Sequence, residues 1–218
     1  MAYRLPNGST IDVASTYTGK KEITISNAAT AVVTSTAHGL QDNDIILIEG
    51  LGWTKLNNRT FRIKNVDANT FELEGVDTTD TTRYPVGAGT GSCKGVLTFL
   101  QIPQVLTVEY SGGEQQFYTF QFLEDDDERQ LPTNKSASSM TINVADDPDQ
   151  PFVKVLEAYD ESREIQVFRL NLVNGDSILY PAVPSITATP TLNVNSLMER
   201  VITLAMQGRI SRYNKPTP

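Results

Sequence analysis

The sequence has very few of the side chains that enzymes use for nucleophilic or metal chemistry. Among its 218 residues there is one cysteine, Cys93, and one histidine, His38. A single cysteine cannot form a disulfide within the chain, and Ser-His, Cys-His and histidine-rich metal sites would all compete for one imidazole. We therefore expect no catalytic residue, no metal site and no cofactor, and the protein is predicted not to be an enzyme.

Long apolar runs and an excess of basic charge are also missing. The start, MAYRLPNGSTIDVAS, has no apolar segment after a basic stretch, and no run approaches the roughly 18 apolar residues of a membrane span. We therefore expect a soluble protein made in the cytoplasm, with no membrane partner. The formal net charge of −8, from 18 basic and 26 acidic residues, argues against a protein that grips nucleic acid, because phosphate binding needs clustered Lys and Arg.

Short strand-like segments occupy the first half of the chain. They are rich in Val, Ile, Thr and Phe and are separated by Gly, Asn and Asp, which is typical of β-structure. Residues 77–92 (DTTDTTRYPVGAGTGS) show no periodicity and are predicted to be a long loop. The strands are predicted at residues 22–25, 31–36, 44–49, 60–66 and 70–74, and the whole segment 21–97 is predicted to be a small β-rich module.

The second half combines longer strands with one helix. Strands are predicted over residues 102–110 and 115–123 on either side of the turn Ser111–Gly113, and over residues 139–145. The Asn-Gly turn at residues 174–176 predicts a hairpin of residues 165–173 and 177–186. A last strand, 195–207, alternates between apolar and polar side chains, as a strand with one buried face does.

The helix is predicted at about residues 149–161. Phe152, Val155, Leu156 and Tyr159 fall at i, i+3, i+4 and i+7, which predicts one apolar stripe that packs on a sheet. The fold class that follows is mainly β, with one packed α-helix and an inserted small β domain.

An acidic run interrupts the second half. In FLEDDDERQLPTNKSASS, residues 122–139, the run consists of Glu124, Asp125, Asp126, Asp127 and Glu128, followed by Arg129. It lacks the Asp-x-Asp-x-Asp-Gly spacing and the distal Glu of a calcium loop. A glycosidase that uses Glu124 or Asp125 is the weakest interpretation, since no visible pattern places either acid in an apolar pocket. A solvated loop and a contact with another molecule both stay open.

The order of elements resembles the major tail tube protein of long-tailed, siphovirus-like bacteriophages. The resemblance is carried by QIPQVLTVEYSGGEQQFYTFQFLEDDDERQLPTNK with its helix and hairpin, by the final SLMERVITLAMQGRISRY, and by LPNGSTIDVAS, which is similar to that family's first strand. TAHGLQDNDIILIEG with FRIKNVDANTFELEG is similar to a small β-rich module of phage structural proteins. The resemblance implies a tail-tube β-sandwich or barrel from residues 1–20 plus 98–218, with residues 21–97 inserted on its outer surface.

This resemblance implies a structural virion protein of the phage tail, made in the host bacterium. It would form hexameric rings stacked into a tube, the conduit for DNA ejection. The implied partners are other copies of itself, the tape measure, tail tip and tail terminator proteins, and double-stranded DNA that passes without specific binding.

The same resemblance assigns roles to particular residues. It makes Glu124–Arg129 an inter-ring contact that meets basic groups of the next ring, with Arg59, Arg62, Lys135 and Arg209 as candidate acceptors. A bore for DNA needs neutral or acidic polar groups, because a basic wall would bind phosphates. The candidate lumen residues are Thr141, Asn143, Asp176, Glu199, Thr203 and Gln207, with an outward solvent face as the alternative. Arg169 and Arg200 break the polar pattern.

An alternative interpretation is a surface binding module. In that case residues 21–97 would recognise a ligand or glycan, and the remainder would be a scaffold. Trp53 is the one tryptophan of the module. It is expected to fill a small core, and a sugar-binding platform is the other possibility.

Overall fold

A computed structural model describes residues 7–216, and these residues form fifteen β-strands and one α-helix. The mainly β architecture with one helix confirms the predicted fold class. Residues 1–6 of the predicted first segment lie outside the described residues. The first seven strands are β1 (Thr10–Tyr17), β2 (Lys21–Ile25), β3 (Val32–Thr34), β4 (Ile45–Glu49), β5 (Arg59–Lys64), β6 (Thr70–Leu73) and β7 (Thr90–Ile102). The others are β8 (Val105–Gly112), β9 (Gln115–Phe120), β10 (Arg129–Lys135), β11 (Ser138–Ala145), helix α1 (Pro151–Ser162), β12 (Gln166–Asn171), β13 (Ser177–Ile186), β14 (Glu199–Met206) and β15 (Ser211–Tyr213).

Strands β2 to β6 and the first half of β7 form a closed six-stranded barrel. The order is β2-β3-β6-β5-β4-β7, and β7 also pairs with β2, for example Cys93 opposite Lys21. Closure leaves no free edge in the barrel. Its interior is a hydrophobic core that includes the buried side chains Ile46, Trp53, Phe61, Ile63, Phe71 and Leu73.

The remaining long strands form two sheets around a second core. One follows the order β7-β1-β12-β13, and the other follows β13-β14-β11-β8. Strand β13 belongs to both, because residues 177–182 pair with β12 and residues 182–186 pair with β14. We call these two sheets the sandwich. The core between them includes Val13, Ile142, Phe168, Ile202 and Leu204.

Helix α1 closes this second core. It begins at Pro151, in the first turn where a missing N–H costs nothing, and Arg163 ends it in the left-handed conformation at φ 54°. Phe152 and Leu156 are buried, as is Val153, which lies outside the predicted stripe. Val155 and Tyr159 are partly buried, and the Tyr159 hydroxyl donates to the Ala14 carbonyl at 3.0 Å.

Strand β7 connects the barrel to the sandwich without a linker. Its first residues pair with β2 and β4, and residues 96–102 pair with β1. A third hydrophobic core lies at the junction, where Ile45 and Leu47 of the barrel meet Val167, Leu179 and Tyr213 of the sandwich. Strand β4 therefore buries both of its faces, which explains its continuous apolar run. The predicted boundary between residues 97 and 98 falls inside β7.

Strands β8 and β9 do not form a hairpin with each other, although the turn signal at Ser111–Gly113 predicted strands around a turn. Strand β8 pairs with β11, and β9 pairs with β10 in a separate two-stranded sheet. Gly112 and Gly113 both have positive φ, 79° and 78°, so the chain bends and continues outward. We call the exposed two-stranded extension, residues 115–135, the hairpin arm.

Gly112 is predicted to be essential for the base of the arm. A Cβ at this position would lie 2.0 Å from the Ala137 carbonyl oxygen, and the left-handed φ disfavours any L side chain. We expect Gly112→Ala to lower the free energy of unfolding by about 2 kcal/mol or more in urea denaturation. Gly19→Ala is the matched control, because a Cβ there meets nothing within 4 Å. Equal stability of the two variants would contradict the assignment.

Candidate functional site

The four-stranded sheet β13-β14-β11-β8 has one apolar face and one polar face. Met140, Ile142 and Val144 of β11 point into the sandwich core, so the alternate residues of β11 point away from it. Directly paired residues share a face, and the register places Glu109, Thr141, Thr203 and Ser185 in one row across the four strands. We call this surface the polar face. Its members are Thr107, Glu109, Ser111, Ser139, Thr141, Asn143, Val183, Ser185, Glu199, Val201, Thr203 and Ala205.

The polar face contains no basic side chain. Its only charged groups are the carboxylates of Glu109 and Glu199, and the other members are hydroxyl, amide or small apolar side chains. The hydroxyls of Ser111 and Ser139 bond to each other at 3.0 Å between neighbouring strands. The surface therefore presents neutral and negative groups only.

The structure brings four of the six predicted lumen residues onto this face. Thr141 is opposite Thr203, Asn143 lies two residues along β11, and Glu199 is opposite Ala145 at the end of the sheet. Gln207 follows the last residue of β14 and is exposed. Ser185 of β13 and Thr107, Glu109 and Ser111 of β8 were not predicted. For the β8 residues, the alternation with Leu106, Val108 and Tyr110 is visible in the sequence.

Asp176 lies elsewhere, in the turn between β12 and β13. Its carboxylate accepts bonds from the Asn174 amide, the Lys215 backbone N–H and Arg212, whose Nη2 is 3.3 Å from Oδ2. The bond from Asn174 lowers the pKa of Asp176 most. The residue ties the turn to the C-terminal segment and is not part of the polar face.

Strand β8 is an edge strand with uncovered apolar side chains. Leu106, Val108 and Tyr110 point to the same side as the core residues of β11 but are 46%, 42% and 49% exposed. A cleft of about 590 Å³ opens beside them, against the first residues of β1 and the end of β12. An unpaired edge with apolar side chains is a surface on which another strand can pair.

The hairpin arm carries the acidic run at its tip. Residues 121–128 connect β9 to β10, and Arg129 is the first residue of β10. Arg129 forms an ion pair with Asp125 at 2.6 Å and lies over the Phe122 ring at 5.4 Å. The arm is exposed along its length and includes the apolar side chains of Phe117, Tyr118, Phe122, Leu123 and Leu131.

The two arginines that broke the polar pattern have partners in the structure. Arg200 is buried on the core side of β14, where its Nη2 is 3.1 Å from Glu157 Oε1 and its Nε donates to the Thr187 carbonyl. The Arg169 Nη2 donates to Asp12 Oδ2 at 2.7 Å, and its guanidinium lies over Phe99. Both charges connect elements of the sandwich.

Arg62 fixes the barrel to the C-terminal strand. Its Nη2 donates to Glu74 Oε1 and its Nη1 donates to the Asn214 carbonyl, both at 2.8 Å, while its guanidinium lies over the Tyr213 ring. The Ser211 hydroxyl donates to the Thr60 carbonyl at 2.9 Å. These contacts and the junction core hold the barrel in one orientation on the sandwich.

The residues with a possible chemical role lie in the barrel core. Cys93 is buried, and burial raises the pKa of its thiol to about 11. Trp53 is 1% exposed and its ring N–H donates to the Pro85 carbonyl, so it fills the core and offers no platform to a sugar. His38 is also buried. Residues 7–216 contain no cluster of three or more His, Cys, Asp or Glu that could hold a metal ion. None of their helices has the length and apolarity needed to cross a membrane.

A comparison with protein families gives a match over most of the chain. The sequence model described as phage tail tube protein, TTP, matches residues 51–215. The chain belongs to this tail tube family. The protein is therefore a structural component of a phage-type tail tube. The matched range includes β5 and β6 of the barrel, whereas the resemblance seen in the sequence was placed on residues 1–20 and 98–218.

Solved structures give weaker similarities. A chain from the virion of a native gene transfer agent particle aligns with a TM-score of 0.42 and 14% identity, over 53% of this chain and 88% of that one. A chain from the sheath-tube complex of an extracellular contractile injection system aligns with a TM-score of 0.39 and 18% identity, over 52% and 82%. No curated protein sequence matches the chain. With scores this low, the family assignment rests on the sequence match.

The Arg62–Glu74 contact predicts a specific loss of stability in acid. The bond from Arg62 lowers the pKa of Glu74, so the native state binds fewer protons here than the unfolded chain. This stabilisation is complete above the ordinary Glu pKa of about 4.3 and is lost as the pH falls through the lower pKa of the folded protein. We expect urea denaturation to show a smaller loss of stability with acid in Glu74→Gln than in the wild type. Identical pH profiles would contradict this.

Proposed function

We propose that the protein assembles into hexameric rings, which stack into a tube that conducts DNA during ejection. The observation that carries this proposal is the four-stranded sheet β13-β14-β11-β8. Its polar face has no Lys or Arg side chain and lies opposite the core, and the sheet ends in the unpaired edge strand β8. Pairing of β8 with the sheet of the next copy would give its backbone groups partners and cover Leu106 and Val108. Repetition of this contact around a closed ring leaves no free edge.

The dimensions of such a ring suit a DNA duplex. Six copies that each contribute four strands give a barrel of 24 strands. At about 4.8 Å spacing and about 45° tilt, its backbone diameter is near 50 Å. Subtracting the side chains leaves a bore of about 40 Å, which is wider than a duplex.

The charge of the polar face suits passage without binding. A basic wall would bind phosphates and release counterions, which would retard DNA. Glu109 and Glu199 would instead repel the phosphates, and hydroxyl and amide groups would keep the wall hydrated. We therefore assign Thr141, Asn143, Glu199 and Thr203 to the lumen, with Gln207 at the end of the sheet.

The hairpin arm and the barrel complete the proposal. The acidic run Glu124–Arg129 would contact the adjacent ring, and the barrel would lie on the outside of the tube. The tape measure protein would fit the bore, and tail tip and terminator proteins would bind the two ends of the stack.

Assembly should depend on the apolar side chains of the edge strand. We expect Leu106→Lys with Val108→Lys to give a folded monomer without rings, because two charges would be buried at the ring contact. Light scattering and negative-stain electron microscopy measure the outcome. Val86→Lys is the control, since Val86 is 78% exposed in a barrel loop. Rings formed by the double variant at wild-type concentrations would count against this contact.

Accessibility in assembled tubes should identify the face that lines the bore. We expect Thr203→Cys to react with a bulky polymer maleimide in the monomer and to be protected in tubes. Ala158→Cys, on the exposed side of α1, should react in both states. The buried Cys93, with its raised pKa, gives little background. Labelling of Thr203→Cys in tubes as fast as in monomers would place the polar face outside.

A further inference from the structure

A shallow groove lies at the base of the hairpin arm. Its volume is about 380 Å³, and it separates the barrel segment 54–59 from residues 136–138 and from residues 206–209 after the last long strand. Three of its lining side chains are basic, namely Lys55, Arg59 and Arg209. We call it the basic groove.

The three cations of the basic groove have no carboxylate partner in the part of the chain that the structure describes, residues 7–216. The ion pairs there engage Lys20, Arg62, Lys64, Arg83, Lys94, Arg129, Arg169, Arg200 and Arg212. The Arg59 Nη1 donates to the Lys55 carbonyl at 3.3 Å, and its Nε is buried without an acceptor. Burial, together with the charge of Arg209, lowers the pKa of Arg59. The groove is thus a site of uncompensated positive charge in a protein of net charge −8.

The tip of the hairpin arm has an excess of negative charge. It holds five carboxylates, Glu124 to Glu128, and Arg129 forms an ion pair with one of them, Asp125. The other four have no ion-pair partner among residues 7–216. Leu123, next to them, is fully exposed. We call residues 123–128 the acidic tip.

The acidic tip cannot reach the basic groove of its own copy. Residues 136–138 line the groove, and the seven residues of β10 separate them from the tip. Seven residues of extended strand span about 23 Å, and β10 is paired with β9 along this length, with a register shift between Pro132 and Lys135. A partner for either site must therefore come from another molecule.

We propose that the basic groove receives the acidic tip of a second copy of this chain. The inference rests on the proposed function, and it identifies the surface that accepts the arm. Of the four acceptors considered from the sequence, Arg62 is engaged by Glu74 and Asn214, and Lys135 lies on the arm itself. Arg59 and Arg209 remain, and the fold adds Lys55 beside them.

Charge reversal on each side tests the contact. The tip variant is Asp126→Lys with Asp127→Lys and Glu128→Lys, which makes the net charge of residues 123–128 positive. The groove variant is Lys55→Glu with Arg209→Glu, and all five positions are exposed. Each variant alone should raise the protein concentration needed for tube formation about tenfold, because like charges then meet. Lys154→Glu with Glu161→Lys, on the exposed side of α1, is the control and should leave this concentration unchanged.

Mixing the two variants gives the decisive measurement. An equal mixture should form tubes at close to the wild-type concentration, because the positive tip then meets a negative groove and the negative tip meets a positive groove. Misfolded variants could not rescue each other. Failure of the mixture, while the wild type forms tubes, would overturn this inference and leave the proposed function in place. Absence of rings and tubes from the wild type at every concentration would count against both.

A cross-link gives independent evidence. Asp126→Cys with Lys55→Cys should give disulfide-linked dimers and larger oligomers in assembled protein. Asp126→Cys alone should form no such disulfide, because its groove has no cysteine. Intact tubes of the double variant without cross-linked species would overturn the proposal. Salt should raise the concentration needed for wild-type assembly, since it screens exposed charges.

Discussion

One strand determines how the two parts of this molecule are arranged. Strand β7 closes the barrel with its first half and extends the sandwich with its second half. Because an extended strand is continuous and hydrogen-bonded on both sides of the junction, the barrel cannot swing as a linked domain would. Ile45 and Leu47, buried between the two parts, and Arg62, bonded to Glu74 and Asn214, reinforce the same orientation. Any surface formed by both parts is therefore preformed in the single chain.

This rigidity matters for a subunit that repeats. A contact that recurs around a ring and along a tube needs the same geometry in every copy, since a small error in angle accumulates with each subunit. The basic groove takes Lys55 and Arg59 from the barrel, Ser136 from the base of the arm and Arg209 from the chain after the last long strand. Its shape follows from the junction. A flexible insertion could not present it in a constant position.

The sequence predicted those features that depend on neighbours along the chain. Alternation identified the two faces of β11 and β14, and the helical period identified Phe152 and Leu156. Features that depend on the pairing of strands far apart in the sequence could not be predicted from it. The glycines at 112 and 113 signal a turn, but only the pairing of β8 with β11 and of β9 with β10 shows that the chain bends without reversing. The predicted boundary fell inside β7 for the same reason. Asp176 has a polar side chain typical of a hydrated face, yet its partners are in the C-terminal segment.

The distribution of charge separates groups that stabilise the fold from groups that are free for assembly. Three arginines whose partners lie within the chain are buried or half-buried, namely Arg62 beside Glu74, Arg169 beside Asp12 and Arg200 beside Glu157. Removing one partner there would leave a charge without compensation in a low-dielectric setting, so these pairs resist change. Lys55 and Arg209 of the basic groove are exposed and lack such partners among residues 7–216, as do four residues of the acidic tip, Glu124, Asp126, Asp127 and Glu128. Because an exposed charge stays hydrated, the lack of an ion-pair partner costs the monomer little free energy at either site. The opposite charges of the basic groove and the acidic tip favour the association of copies. The net negative charge of the chain makes the copies repel each other at other surfaces.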